Sequence, residues 1–101
     1  MKQQDLKQES FEAWFAKQHG NRQFRFEDPC NCMIACWVKE TDLAPNPSCG
    51  PGYVRQDVDF DSKRILFPQW LWAIEQEVVS LERPMGTPFT VGQLRKARAI
   101  A

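Results

Sequence analysis

Apolar residues fall at helical spacing in some stretches of this chain and alternate in others. The densest stretch is residues 28–40, DPCNCMIACWVKE. Cys30, Met33, Ile34, Trp37 and Val38 follow the i, i+3, i+4, i+7, i+8 spacing of a core-facing helix. Asp28 offers an N-cap acceptor, and Pro29 suits the first helical position, where its missing N–H is not needed. The other side carries Asn31, Cys32, Ala35, Cys36 and Lys39, mostly small and uncharged. A helix apolar on one side and small on the other is packed on both, so this one is predicted to be central.

The same reasoning orders the rest. Residues 1–8 are polar and expected to fray. Ser10 caps a predicted helix over 11–18 with Phe11, Trp14 and Phe15 on one stripe, and Gly20 ends it in a left-handed turn. Residues 22–26 predict a short strand in which Phe24 and Phe26 alternate with Gln23 and Arg25. The Pro- and Gly-rich stretch 41–52 predicts a loop. Over 53–60, Val54, Gln56, Val58 and Phe60 alternate with Tyr53, Arg55, Asp57 and Asp59, and 64–67 returns as a hairpin partner.

Pro68 opens a helix to about residue 82, with Trp70, Leu71, Ile74, Val78 and Leu81 on its apolar arc and Arg83-Pro84 as its stop. Thr90 and Gln93 have capping-box spacing and start a last helix with Leu94 and Ile100 as its apolar contacts. The predicted class is α+β: one domain, a small antiparallel sheet of about three strands, packed by three to four helices.

Composition narrows the function classes. With 43% hydrophobic residues in 101, the chain folds as one domain rather than staying disordered. Thirteen basic and thirteen acidic residues cancel, so no global field draws it to nucleic acid or a membrane surface. No apolar run approaches a membrane span, and residues 1–14 hold no signal-peptide core, so a cytoplasmic location is expected. There the four cysteines stay reduced. Cys30/Cys32 and Cys32/Cys36 on one helix are in any case poor disulfide partners.

Candidate chemistry is sparse. Cys32, Cys36, Cys49 and His19 are the one set that offers a tetrahedral zinc site. Their spacing matches no standard zinc signature, and free cysteine behaves as a small core hydrophobe, so no metal and no cofactor are expected. His19 as base to a cysteine nucleophile needs the fold to unite them. A lone histidine at a helix end more often serves the dipole, so the chain is not expected to be an enzyme.

Asp57, Asp59 and Asp61 open like a calcium loop, but Ser62 replaces the required glycine and Pro68 the bidentate glutamate. The row then reads as a strand's solvent face, with Asp57 and Asp59 available to a basic partner. Arg95, Lys96 and Arg98, with Arg83, form a basic patch that complements a helix C-terminus better than it binds nucleic acid. Trp72 and Val79 lie seven apart, off the main arc of their helix, with Glu75 and Gln76 in the same sector. They are the candidate partner-binding face, unless another element covers them.

The stretch FRFEDPCNCMIACWVKE, residues 24–40, resembles a motif of small bacteriophage and prophage accessory proteins. In these an aromatic-polar strand leads to Asn-Cys and an apolar-Ala pair, here Asn31-Cys32 and Met33-Ile34-Ala35. Thr90-Val91-Gly92-Gln93-Leu94 is similar to their Thr-aromatic-Gly-x-Leu ending, with valine in the aromatic position. The resemblance implies a phage-encoded accessory protein that binds and inhibits a larger host protein or complex in the host cytoplasm, for example as an anti-CRISPR or other anti-defence inhibitor. It carries over no catalytic residue. The rival expectations are a zinc-stabilised nucleic-acid-binding module and a small cysteine-dependent enzyme.

Overall fold

Leu6 is the first buried residue, and Met1 packs against the same core from the chain's start. Before it, Gln3–Asp5 forms a 3-10 turn in which the Lys2 backbone N–H donates to Asp5 Oδ2 at 2.7 Å. The Met1 amine donates to Gln56 Oε1 at 2.8 Å, and Gln3 Nε2 to the Leu66 carbonyl at 3.1 Å. The start of the chain, expected to fray, is therefore tied down. The computed structural model describes residues 1–25, 28–57, 63–81 and 87–100.

With Leu6 held on the core, helix α1 spans Gln8–Ala16 and starts earlier than the pattern suggested. Lys7 takes the N-cap position, and Ser10 lies inside the helix, where its hydroxyl accepts from Trp37 Nε1 at 3.4 Å. The helix closes at Lys17 in ordinary helical backbone, and Gly20 does not take the left-handed conformation expected of it. Strand β1 is Gln23–Phe24, and Phe26 lies outside the described residues.

Helix α2 is Met33–Glu40, shorter than predicted. Asp28 does act as a cap, but of a turn: its Oδ1 accepts from Cys30 N at 3.3 Å and Asn31 N at 3.2 Å. The helix N-cap is Cys32, whose Sγ accepts from Ala35 N at 3.4 Å. Every residue from Met33 to Val38 is buried, as a helix packed on both sides requires.

Inside the stretch predicted as a loop lies strand β2, Ser48–Gly50. It pairs antiparallel with β3, Tyr53–Arg55, which pairs with β4, Arg64–Leu66. The register aligns Cys49, Val54 and Ile65 on the inner face. Tyr53, Arg55, Arg64 and Leu66 point outward, and Leu66 is 63% exposed. Pro51-Gly52 turns the chain between β2 and β3, with Gly52 at φ +76°. β3 ends sooner than the alternation suggested, and Val58, Asp59 and Phe60 lie outside the described residues.

Helix α3 spans Gln69–Leu81 and buries Leu71, Ile74 and Val78. Strand β5, Phe89–Thr90, was not predicted; it pairs antiparallel with β1. Helix α4, Val91–Ile100, begins at the expected capping box. Thr90 N donates to Gln93 Oε1 at 2.8 Å, and Gln93 N to Thr90 Oγ1 at 3.1 Å. Gly92 N donates to the Gly20 carbonyl at 2.9 Å, so close that a Cβ on Gly92 would stand 3.2 Å from that oxygen.

The fold is α+β, and the described residues form helices around two small antiparallel sheets of three and two strands. Its centre is aromatic. The Trp37 ring meets Phe11 edge-on at 5.4 Å and Trp70 at 5.9 Å, which joins α1, α2 and α3. Trp37 has no solvent exposure. Trp37→Ala should lower stability by about 3–5 kcal/mol, with a clear fall in Tm, as measured by urea and thermal unfolding.

Candidate functional site

The outer face of α3 carries Trp72, 45% exposed, and Val79, 41% exposed, with exposed Gln76 between them. Trp72 is anchored from behind. A Cβ built on Gly52 would lie 2.6 Å from Trp72 Cζ3, so the indole edge occupies the space a side chain there would need. Gly52 therefore serves twice, through its positive φ and through the room it leaves for the ring.

Glu75 is not on this face. It is buried, 3% exposed, and its Oε1 and Oε2 accept from the Gly52 backbone N–H at 3.0 and 3.3 Å. Its position explains this: Glu75 is four residues after Leu71 and three before Val78, in the middle of the core arc. Burial raises the Glu75 pKa, and the Gly52 N–H opposes that rise. The carboxylate thus clamps the β2–β3 turn to α3. Asp57 is exposed just past β3, and Asp59 lies outside the described residues.

The four residues of the candidate zinc set are not brought together. His19 is exposed, and its Nδ1 accepts from Asn21 N at 3.1 Å. The Cys36 thiol donates to the Asn31 carbonyl at 3.5 Å, and burial raises its pKa. Cys32 and Cys49 are neighbours, near enough for each thiol to shift the ionisation of the other. The late start of α2 is the reason: Cys32 is the N-cap rather than a mate of Cys36 on one helical face. Among the described residues, no group of three or more His, Cys, Asp or Glu side chains is placed to hold a metal ion.

Interaction with Cys49 lowers the Cys32 pKa, helped by the backbone N–H groups of Ala35 and Ile34, and interaction with Cys32 raises that of Cys49, which burial raises further. This polarised thiol pair lies next to the Glu75–Gly52 clamp, near enough for the Glu75 charge to act on both sulfurs. No local signal in the sequence marked it, since Cys49 stands in a stretch without periodicity.

The basic patch also turns inward. Arg95 Nη2 donates to the carbonyls of Phe15, Ala16 and Gln18 at 3.0, 3.2 and 2.6 Å, closing the C-terminus of α1. Arg98 pairs with Glu12 at 2.6 Å. Arg83 lies outside the described residues. Arg22 pairs with Glu40 at 2.6 Å and lies 4.8 Å over the Phe24 ring.

No protein-family model matches this chain, and no curated protein or solved structure matches it.

Two outcomes test the clamp. Folding raises the Glu75 pKa, so the native chain binds this proton more tightly than the unfolded chain does. Its contribution to stability therefore falls as pH rises from the ordinary glutamate value through the raised one. Glu75→Gln keeps an acceptor for Gly52 N–H and should lack that decline; urea unfolding at a series of pH values compares the two proteins. Gly52→Ala should cost about 1–3 kcal/mol from backbone strain alone, and should shift the tryptophan emission as the Trp72 ring is displaced.

Proposed function

We propose that this chain is a small interaction protein that works by covering a surface of a larger protein, with the outer face of α3 as its contact. The observation that carries this reading is Trp72, nearly half exposed yet held from behind by Gly52. A rigid, amphipathic indole gives a partner a large contact area at low entropic cost, as binding hot spots do. Val79 extends the apolar strip, and Gln76 supplies a polar group beside it. Glu75 acts behind the face as support. Asp57 and Asp59 stay in the proposal as candidate contacts for a basic partner, with Asp59 outside the described residues.

The likeness of residues 24–40 and 90–94 to phage accessory proteins supports the narrower form: a phage-encoded inhibitor of a host protein or complex, such as an anti-CRISPR or other anti-defence factor, acting in the host cytoplasm. Among the described residues no helix is long and apolar enough to cross a membrane.

The test is a pull-down from bacterial lysate with tagged wild-type protein and Trp72→Ala, read by mass spectrometry and followed by affinity measurement on the recovered partner. Trp72→Ala should weaken binding by about 2 kcal/mol or more, roughly thirty-fold, while lowering stability less than Trp37→Ala does. Equal binding by the variant, or a stability loss matching that of Trp37→Ala, would remove Trp72 from the contact.

A further inference from the structure

We propose that Cys32 and Cys49 form an oxidisable dithiol that closes into a disulfide and ties the start of α2 to β2. Three features of the fold place the pair. The register of β2 with β3 sets Cys49 opposite Val54, on the inner face of the sheet. The Cys49 backbone N–H donates to the Pro29 carbonyl at 2.8 Å, which holds β2 against the turn leading into α2. At the end of that turn, three residues after Pro29, Cys32 is the N-cap, and its sulfur accepts from Ala35 N at 3.4 Å. Two cysteines from distant parts of the chain are thus brought to one joint. The remaining cysteines differ: Cys36 turns to the Asn31 carbonyl, and Cys30 precedes the cap on the turn.

The chemistry is exchange with a small disulfide, RSSR. Cys32 is the better first nucleophile, because a helix N-cap with an N–H aimed at sulfur favours the thiolate. Its sulfur attacks one sulfur of RSSR, breaks that S–S bond, forms a mixed disulfide and releases RS−, which takes up the Cys32 proton. The Cys49 sulfur then attacks the Cys32 sulfur, forms the internal bond and releases a second RS−, which takes up the Cys49 proton. The protein loses two electrons and two protons, and RSSR leaves as two RSH. Cys49 is partly exposed while Cys32 is buried, so closure waits on small openings of the β2 edge.

This inference stands apart from the role of the α3 outer face. The test exposes native protein to oxidised glutathione, quenches with acid, denatures, alkylates, and maps the peptides by mass spectrometry. The expected result is loss of two of the four thiols, a mass lower by two hydrogens than the reduced chain, and a Cys32–Cys49 cross-link. Cys32→Ser and Cys49→Ser should each abolish the cross-link, and Cys36→Ser should leave it. Serine is itself a good N-cap, so the Cys32 variant keeps its fold. A cross-link through Cys30 or Cys36 overturns the proposal. So does a wild-type product that stops as glutathione adducts, or one that keeps all four thiols.

Discussion

Trp37 lies where three helices meet, and it has no surface left for water. Phe11 approaches it edge-on from α1, Trp70 from α3, and Phe11 and Trp70 touch each other at 5.8 Å. The indole N–H, which has to find an acceptor once buried, finds Ser10. Such a cluster fixes orientation as well as burial, because tilted and edge-on aromatic contacts have preferred geometries. With Met33 through Val38 all buried, α2 becomes the inner wall against which the other elements are placed.

That placement has consequences at the ends of α2. At its C-terminus, Glu40 takes the Arg22 guanidinium and the Trp14 indole N–H, and Arg22 holds the Glu40 carboxyl below its ordinary pKa. At its N-terminus, the cap is a cysteine directed inward, where a serine or aspartate would satisfy the same N–H more strongly. The position therefore brings thiol chemistry to a structural joint, beside a β2 residue that holds the second sulfur.

Charge in this molecule works mostly at joints. Arg95 gathers the last carbonyls of α1, Arg98 links α4 to Glu12, and Glu75 holds the backbone N–H of the β2–β3 turn. A net charge of zero is thus more than a bulk average, since several cations and carboxylates have internal partners. What α3 leaves on the outside is Trp72 and Val79 among the uncharged side chains of Gln69, Ala73, Gln76 and Ser80.

The sequence alone determined the elements whose signal is local. The burial of α2 and α3 follows from apolar residues three and four apart, the Thr90–Gln93 box from two side chains reaching three residues, and the β3–β4 hairpin from alternation around a turn. The position of Trp72 and Val79 off the core arc was likewise legible, because five apolar residues already formed that arc, but their exposure depended on whether another element covered them. Tertiary structure decided what depends on distant partners. Strands β2 and β5 have three and two residues, too few for a period, and exist because another strand pairs with them, whereas β1 falls inside the stretch where alternation predicted a strand. The start of α2 moved to Cys32 because Asp28 had a turn to cap. Glu75 lies within the core arc by its spacing, and Gly52, 23 residues away, supplies the N–H that satisfies it there, while Arg95 left the surface for a carbonyl 77 residues away. Propensity, spacing and capping act within about one helical turn. The cost of leaving a buried polar group without a partner acts across the whole chain, and it chose these contacts once the core had set which residues were neighbours.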